Sequence, residues 1–147
     1  MSKKAIFSIL SIICAAITMA ACQTEQAETM VLLDEKISEV KISKSNGFGE
    51  MNEDSMLSFK DKKSLNIFEK AITTAIKQPG KADISEPEYD VMVEYESDEG
   101  ELPTHGIHLW LGRENEKSTF MYITDDSVYL TSTQMTEKLR ELILSEE

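Results

Sequence analysis

DKKSLNIFEKAITTAIKQPG, residues 61–80, decides the fold class. Leu65, Phe68, Ile72, Ala75 and Ile76 recur at spacings of three and four, which places one apolar stripe along a helix over residues 62–77. The Asp61 carboxylate stands where it can accept from the orphan amides of the first turn, and Pro79-Gly80 stops the helix just past its end. The flanking segments have a different period. Residues 36–43 alternate, with Val40 and Ile42 on one face and Glu39 and Lys41 on the other. Residues 56–60 form a second short strand with Leu57 and Phe59 inward, and Asn46-Gly47 with Gly49 supplies turn chemistry between the two.

Beyond the helix the chain is mostly strand. Tyr89, Val91, Val93 and Tyr95 alternate with Asp90, Met92 and Glu94; Ile107, Leu109 and Leu111 alternate with His108 and Trp110. Strands over residues 119–124 and 127–130 follow, separated by a turn at Asp125-Asp126. Thr131 and Gln134 have the spacing of a capping box, and the helix behind them puts Met135, Leu139, Leu142 and Ile143 on one face. The order β-β-α-β-β-β-β-α with short connections predicts an α+β domain. Its antiparallel sheet has about five or six strands, with two helices packed on one face.

The start of the chain, MSKKAIFSILSIICAAITMAAC (residues 1–22), has the layout of a secretory signal peptide. Lys3 and Lys4 are the basic region, residues 5–16 are almost unbroken apolar, and Ala20 and Ala21 are the small residues before Cys22. A membrane-spanning helix needs roughly 20 apolar residues, and this run is shorter and interrupted by Ser8 and Ser11. Met19-Ala20-Ala21-Cys22 resembles the lipobox of bacterial lipoproteins. That resemblance implies cleavage between Ala21 and Cys22 and a diacylglyceryl group on the Cys22 thiol. It places the protein on the extracytoplasmic face of the cell membrane, with the membrane as its first partner. Two acyl chains hold a protein stably where one holds it only reversibly.

The expected organisation is a signal peptide over 1–21, a lipidated N-terminus and flexible tether over 22–34, and one domain over 35–147. QTEQAET, residues 23–29, has no apolar period, while the short apolar run over 30–33 suits either the tether or the start of the domain.

Composition narrows the function. Without Lys3 and Lys4 the mature chain sets 13 Lys and Arg against 27 Asp and Glu, a net charge of −14. Such a chain is repelled by nucleic acid and by anionic headgroups, so no nucleic-acid partner is expected and the lipid must supply membrane attachment. Both cysteines, Cys14 and Cys22, are used before the domain begins. The domain therefore has no thiol for catalysis, metal binding or a disulfide, which excludes thiol–disulfide oxidoreductases and cysteine hydrolases.

Candidate chemistry is sparse. His105 and His108 lie three apart on a strand and so point to opposite faces, which argues against a shared metal. Residues 86–101 hold eight carboxylates and no Lys or Arg, but not in a calcium-loop spacing. A solvated loop is the bland reading of that stretch, and a pair of carboxylates serving a hydrolase is the sharper one. No G-x-S-x-G elbow and no phosphate-binding glycine loop occurs, since Gly47-Phe48-Gly49 lacks the third glycine and a following helix. No metal, cofactor or catalytic residue is assigned. If Ile107, Leu109 and Leu111 fill the core, His108 and Trp110 lie on the opposite sheet face and form a candidate contact surface. The bland alternative is that Trp110 is core.

Phe68-x-x-Ala71-Ile72, Pro87-x-Tyr89-x-Val91, His108-Leu109-Trp110-Leu111 and Val128-Tyr129-Leu130 resemble the YhfM-like small lipoproteins of Bacillus and relatives, over residues 61–144. The resemblance implies an envelope location and a small α+β domain, and it carries no catalytic residues. The expected function is a lipid-anchored, non-catalytic binding or interaction module, with an envelope protein as the candidate partner. The alternatives are an envelope hydrolase using carboxylates near the acidic loop, or an inhibitor or modulator of a membrane enzyme or sensor.

Overall fold

The computed structural model describes residues 26–80, 84–98, 100 and 102–145. The stretch expected to be a signal peptide, with Ala21 and Cys22, lies outside the described residues. Among the described residues, seven strands form one antiparallel sheet, β1 (Ile37–Lys44), β2 (Leu57–Phe59), β3 (Ile76–Lys77), β4 (Tyr89–Tyr95), β5 (His105–Trp110), β6 (Thr119–Tyr122) and β7 (Val128–Leu130), in the order β2-β1-β4-β5-β6-β7-β3. Helices α1 (Lys62–Thr73) and α2 (Thr133–Leu144) bury their apolar stripes against one face. The α+β class and the two helices are as the alternation and the stripe predict. Phe68, Ile72, Leu139 and Ile143 from the helices meet Val40, Val91, Ile107 and Leu109 from the strands in one fully buried core.

The seventh strand comes from the tail of the first predicted helix. α1 ends at Thr73 rather than at residue 77, because the Thr73 and Thr74 hydroxyls bond back to the carbonyls of Glu69 and Lys70 at 2.7 and 2.6 Å. Ala75 stays in the core, whereas Ile76 leaves the stripe and pairs with Leu130. The N-cap at Asp61 is as expected, accepting from the Ser64 amide at 3.0 Å. That of α2 is one residue later than the capping-box spacing suggests. Ser132 accepts from the Met135 amide, while the Thr131 amide continues the strand pairing by donating to Ser118. Ser132→Ala is therefore expected to lower stability by about 1 kcal/mol in urea unfolding, the usual cost of a lost N-cap.

Residues 28–33, where the expected tether gives way to an apolar run that suited the domain equally, lie against the domain. The Met30 amide donates to the Ala75 carbonyl, the Lys77 amide donates to the Glu28 carbonyl, and Thr29 bridges to Ile76 along the free edge of β3. Met30 is buried, and the Val31 amide and carbonyl both bond to the Tyr122 hydroxyl, at 2.6 and 2.7 Å. The domain thus starts before residue 35.

Candidate functional site

Strand alternation sends Ile107 and Leu109 into the core and His108 and Trp110 to the other face, as the sequence indicates. The register continues that second face across the sheet: Ser43 of β1 lies opposite Asp90 of β4, Asp90 opposite His108 of β5, and His108 opposite Met121 of β6. A face carrying Ser43, Asp90 and His108 in a row would ordinarily be wet. Here the connection between β1 and β2, residues 45–56, folds back over it. Gly47 and Gly49 both take left-handed backbone, at φ 110° and 84°, which lets the chain double back and lay Phe48 across the sheet.

Each polar group of the row is tied to this flap or to its neighbour. His108 Nδ1 and Asp90 Oδ1 are 2.8 Å apart, and the Asn52 amide donates to Asp90 Oδ2 at 2.8 Å. The Gly49 amide donates to His108 Nε2 at 3.4 Å, and the Ser43 hydroxyl donates to the Asn52 carbonyl. Because Nε2 accepts from an amide, the ring proton sits on Nδ1 and is donated to Asp90. Asp90 and His108 are both 0% exposed. The Phe48 ring meets His108 edge-on at 6.0 Å between centroids and leans on Trp110 at 5.9 Å, and the Trp110 indole donates to the Ser85 carbonyl at 2.9 Å.

This corrects the expected contact surface in one respect. His108 faces the predicted side, but the flap buries it, so it cannot touch a partner. Trp110 is half-buried beneath the same flap. The outward aromatic is Phe48, 49% exposed, which sequence reading treated only as part of a turn. A large apolar residue between two glycines in a polar loop was the available signal.

The two histidines are separated as strand geometry requires. His105 shares a hydrogen bond with the Tyr95 hydroxyl at 2.7 Å, and burial pushes its imidazole below the ordinary histidine value. The described carboxylates of the acidic stretch are dispersed. Besides Asp90, Glu94 pairs with Lys41 at 2.6 Å, Glu96 pairs with Lys36 at 2.7 Å, and Glu88 accepts from the Leu111 amide. Among the described residues, no three His, Cys, Asp or Glu side chains come together as a metal-binding set.

Chemically, an Asp–His pair supplies two of the three members of a hydrolytic triad, in which the carboxylate orients the imidazole and Nε2 takes the nucleophile's proton. In this chain Nε2 is occupied by a backbone amide, and the nearest hydroxyl in the row, Ser43, is committed to Asn52. With the flap seated, the pair works as a latch that holds residues 45–56 on the sheet.

Residues 33–147 match the family model described as YhfM protein. The chain belongs to the YhfM family. The match extends beyond the motif-bearing region over 61–144 and takes in β1 and the whole flap. The fold is similar to a crystal structure described as that of a thioesterase-like protein from Clostridium sporogenes ATCC 15579. The TM-score is 0.55 at 18% identity, covering 78% of this chain and 98% of that one. At that identity the similarity concerns the fold. No curated protein matches the chain.

Proposed function

We propose that this YhfM-family chain is a lipoprotein anchored through Cys22 to the extracytoplasmic face of the cell membrane. Its role is that of a non-catalytic binding module whose contact surface is the outer side of the flap. The observation that carries the reading is the position of Phe48. It is half exposed over Trp110, while the polar row beneath it is spent on holding the flap in place. Exposed aromatics on a rigid support are the residues that most often anchor an interface.

The test is photo-crosslinking in intact cells, with a photoreactive residue at position 48 and a control at Lys138 on the exposed side of α2. A discrete envelope protein joined to position 48 and absent at 138 is the expected outcome. The same products at both positions, or none from a folded and anchored chain, would remove the flap as the contact surface.

A second reading, an envelope hydrolase, is favoured by one observation. Asp90 belongs to the acidic stretch and orients His108 as a general base would require, on a fold shared with a protein described as thioesterase-like. It requires the flap to leave His108 Nε2. Turnover of simple acyl esters that disappears in His108→Ala and Asp90→Asn would establish this reading in place of the first.

A further inference from the structure

We propose that the sheet edge formed by residues 28–31 and β3 is seated on the bilayer surface, with Val31 and Ile76 as its apolar contacts. The inference rests on the lipid anchor at Cys22. Glu28, whose carbonyl accepts from the Lys77 amide, ties the chain to the sheet only six residues after that cysteine. Fully extended, six residues span at most about 22 Å. From this edge to β2 the sheet runs through seven strand intervals, or about 34 Å. The leash is thus shorter than the sheet is wide, and it enters at one end of it.

The side chains at that end suit a lipid interface. Met30 turns into the core, whereas Val31 is 69% exposed and Ile76, bridged through its backbone to Thr29, is 46% exposed. Lys77 is paired with Glu28 at 2.8 Å, a contact that raises its ammonium above the usual lysine value and keeps it charged. Asp125, held below the usual carboxylate range mainly by the Ser127 amide, also acts on Lys77. The edge therefore carries no excess of positive charge that would draw this acidic domain to anionic headgroups. The anchor supplies the effective concentration, and two apolar side chains decide which side meets the membrane. Seated this way, β5 and the flap above it stand about 19 Å along the sheet from the lipid surface, clear for a partner.

The mature lipidated chain has no free thiol once the Cys22 sulfur carries the diacylglyceryl group, so single cysteines can be labelled cleanly. An environment-sensitive fluorophore is placed in turn at Val31→Cys, Ile76→Cys, Met56→Cys and Phe48→Cys. The proteins are incorporated into phosphatidylglycerol–phosphatidylethanolamine vesicles containing a nitroxide-headgroup lipid. Intact mass is measured on each preparation. The expected result is quenching several-fold stronger at 31 and 76 than at 56 and 48, in protein whose mass includes the diacylglyceryl group. Equal quenching at all four positions, or stronger quenching at 56, in lipidated protein would overturn the seating and leave the anchor standing. A mature mass lacking the lipid would overturn the anchor and the seating together.

Discussion

Asp90→Ala is expected to destabilise the domain by about 3–5 kcal/mol, because each of two donors that lose a carboxylate acceptor costs about 1–3 kcal/mol. The carboxylate accepts from both the His108 ring and the Asn52 amide, in a place with no solvent exposure. Its loss leaves the buried His108 ring and the part-buried Asn52 amide without an acceptor. Native domains have only about 5–15 kcal/mol in total, so the variant should stand near the edge of folding. Its melting temperature should fall by roughly 10–20 °C. Urea unfolding measures the change as a lower midpoint at similar slope. Proteolytic nicking within residues 45–56 should rise in the same variant, since Asn52 loses its hold on the sheet. A shift smaller than about 1 kcal/mol would show that the pair does not latch the flap.

Phe68→Ala should cost as much from the opposite side of the sheet, about 3–5 kcal/mol. Phe68 is fully buried on α1, with its ring 5.2 Å from that of Phe59 on β2. Truncation removes a large apolar surface and opens a cavity where the helix covers the short edge strand. The two substitutions share no partner, so their effects on the midpoint should add. They should differ in their local consequence. Phe68→Ala leaves the Asn52–Asp90 and Gly49–His108 contacts intact, so flap proteolysis and crosslinking from position 48 should be preserved below the melting transition. Loss of the position-48 adduct at a temperature where Phe68→Ala is folded would mean that the surface depends on the helix layer.

Much of the architecture was legible because its information is local. Period two put Ile107 and Leu109 in the core and His108 and Trp110 on the other face. Spacings of three and four found both helices. Where a local pattern competes with a tertiary one, it overran. Ile76 fits the helical stripe, yet the two threonines before it bond back to the helix, and Leu130 offers it a strand partner. A strand of two residues is too short to show any period. The short run at Met30 carries the same ambiguity, which the free edge of β3 resolves by pairing with it.

The site was half legible for a different reason. Alternation could say that His108 faces away from the helices, but not what lies above it. The cover comes from Gly49, 59 residues earlier, and the carboxylate that holds the cover is bound by Asn52, 38 residues before it. Pairings at such separations leave no periodic trace. Asp90 itself looked like one more carboxylate of a solvated acidic stretch, when among the described residues of that stretch it is the carboxylate taken into the interior.

The role assigned to the flap turns on which nitrogen of His108 carries the proton. Long-range 1H–15N correlation on the labelled mature domain reads this directly. The expected result is a single Nδ1–H tautomer with a slowly exchanging ring proton, bonded to Asp90 while Nε2 accepts from Gly49. An Nε2–H tautomer, or a ring exchanging freely with water, would mean that the flap stands off the sheet. The imidazole would then be open to solvent, and the pair would be a candidate base in place of a latch.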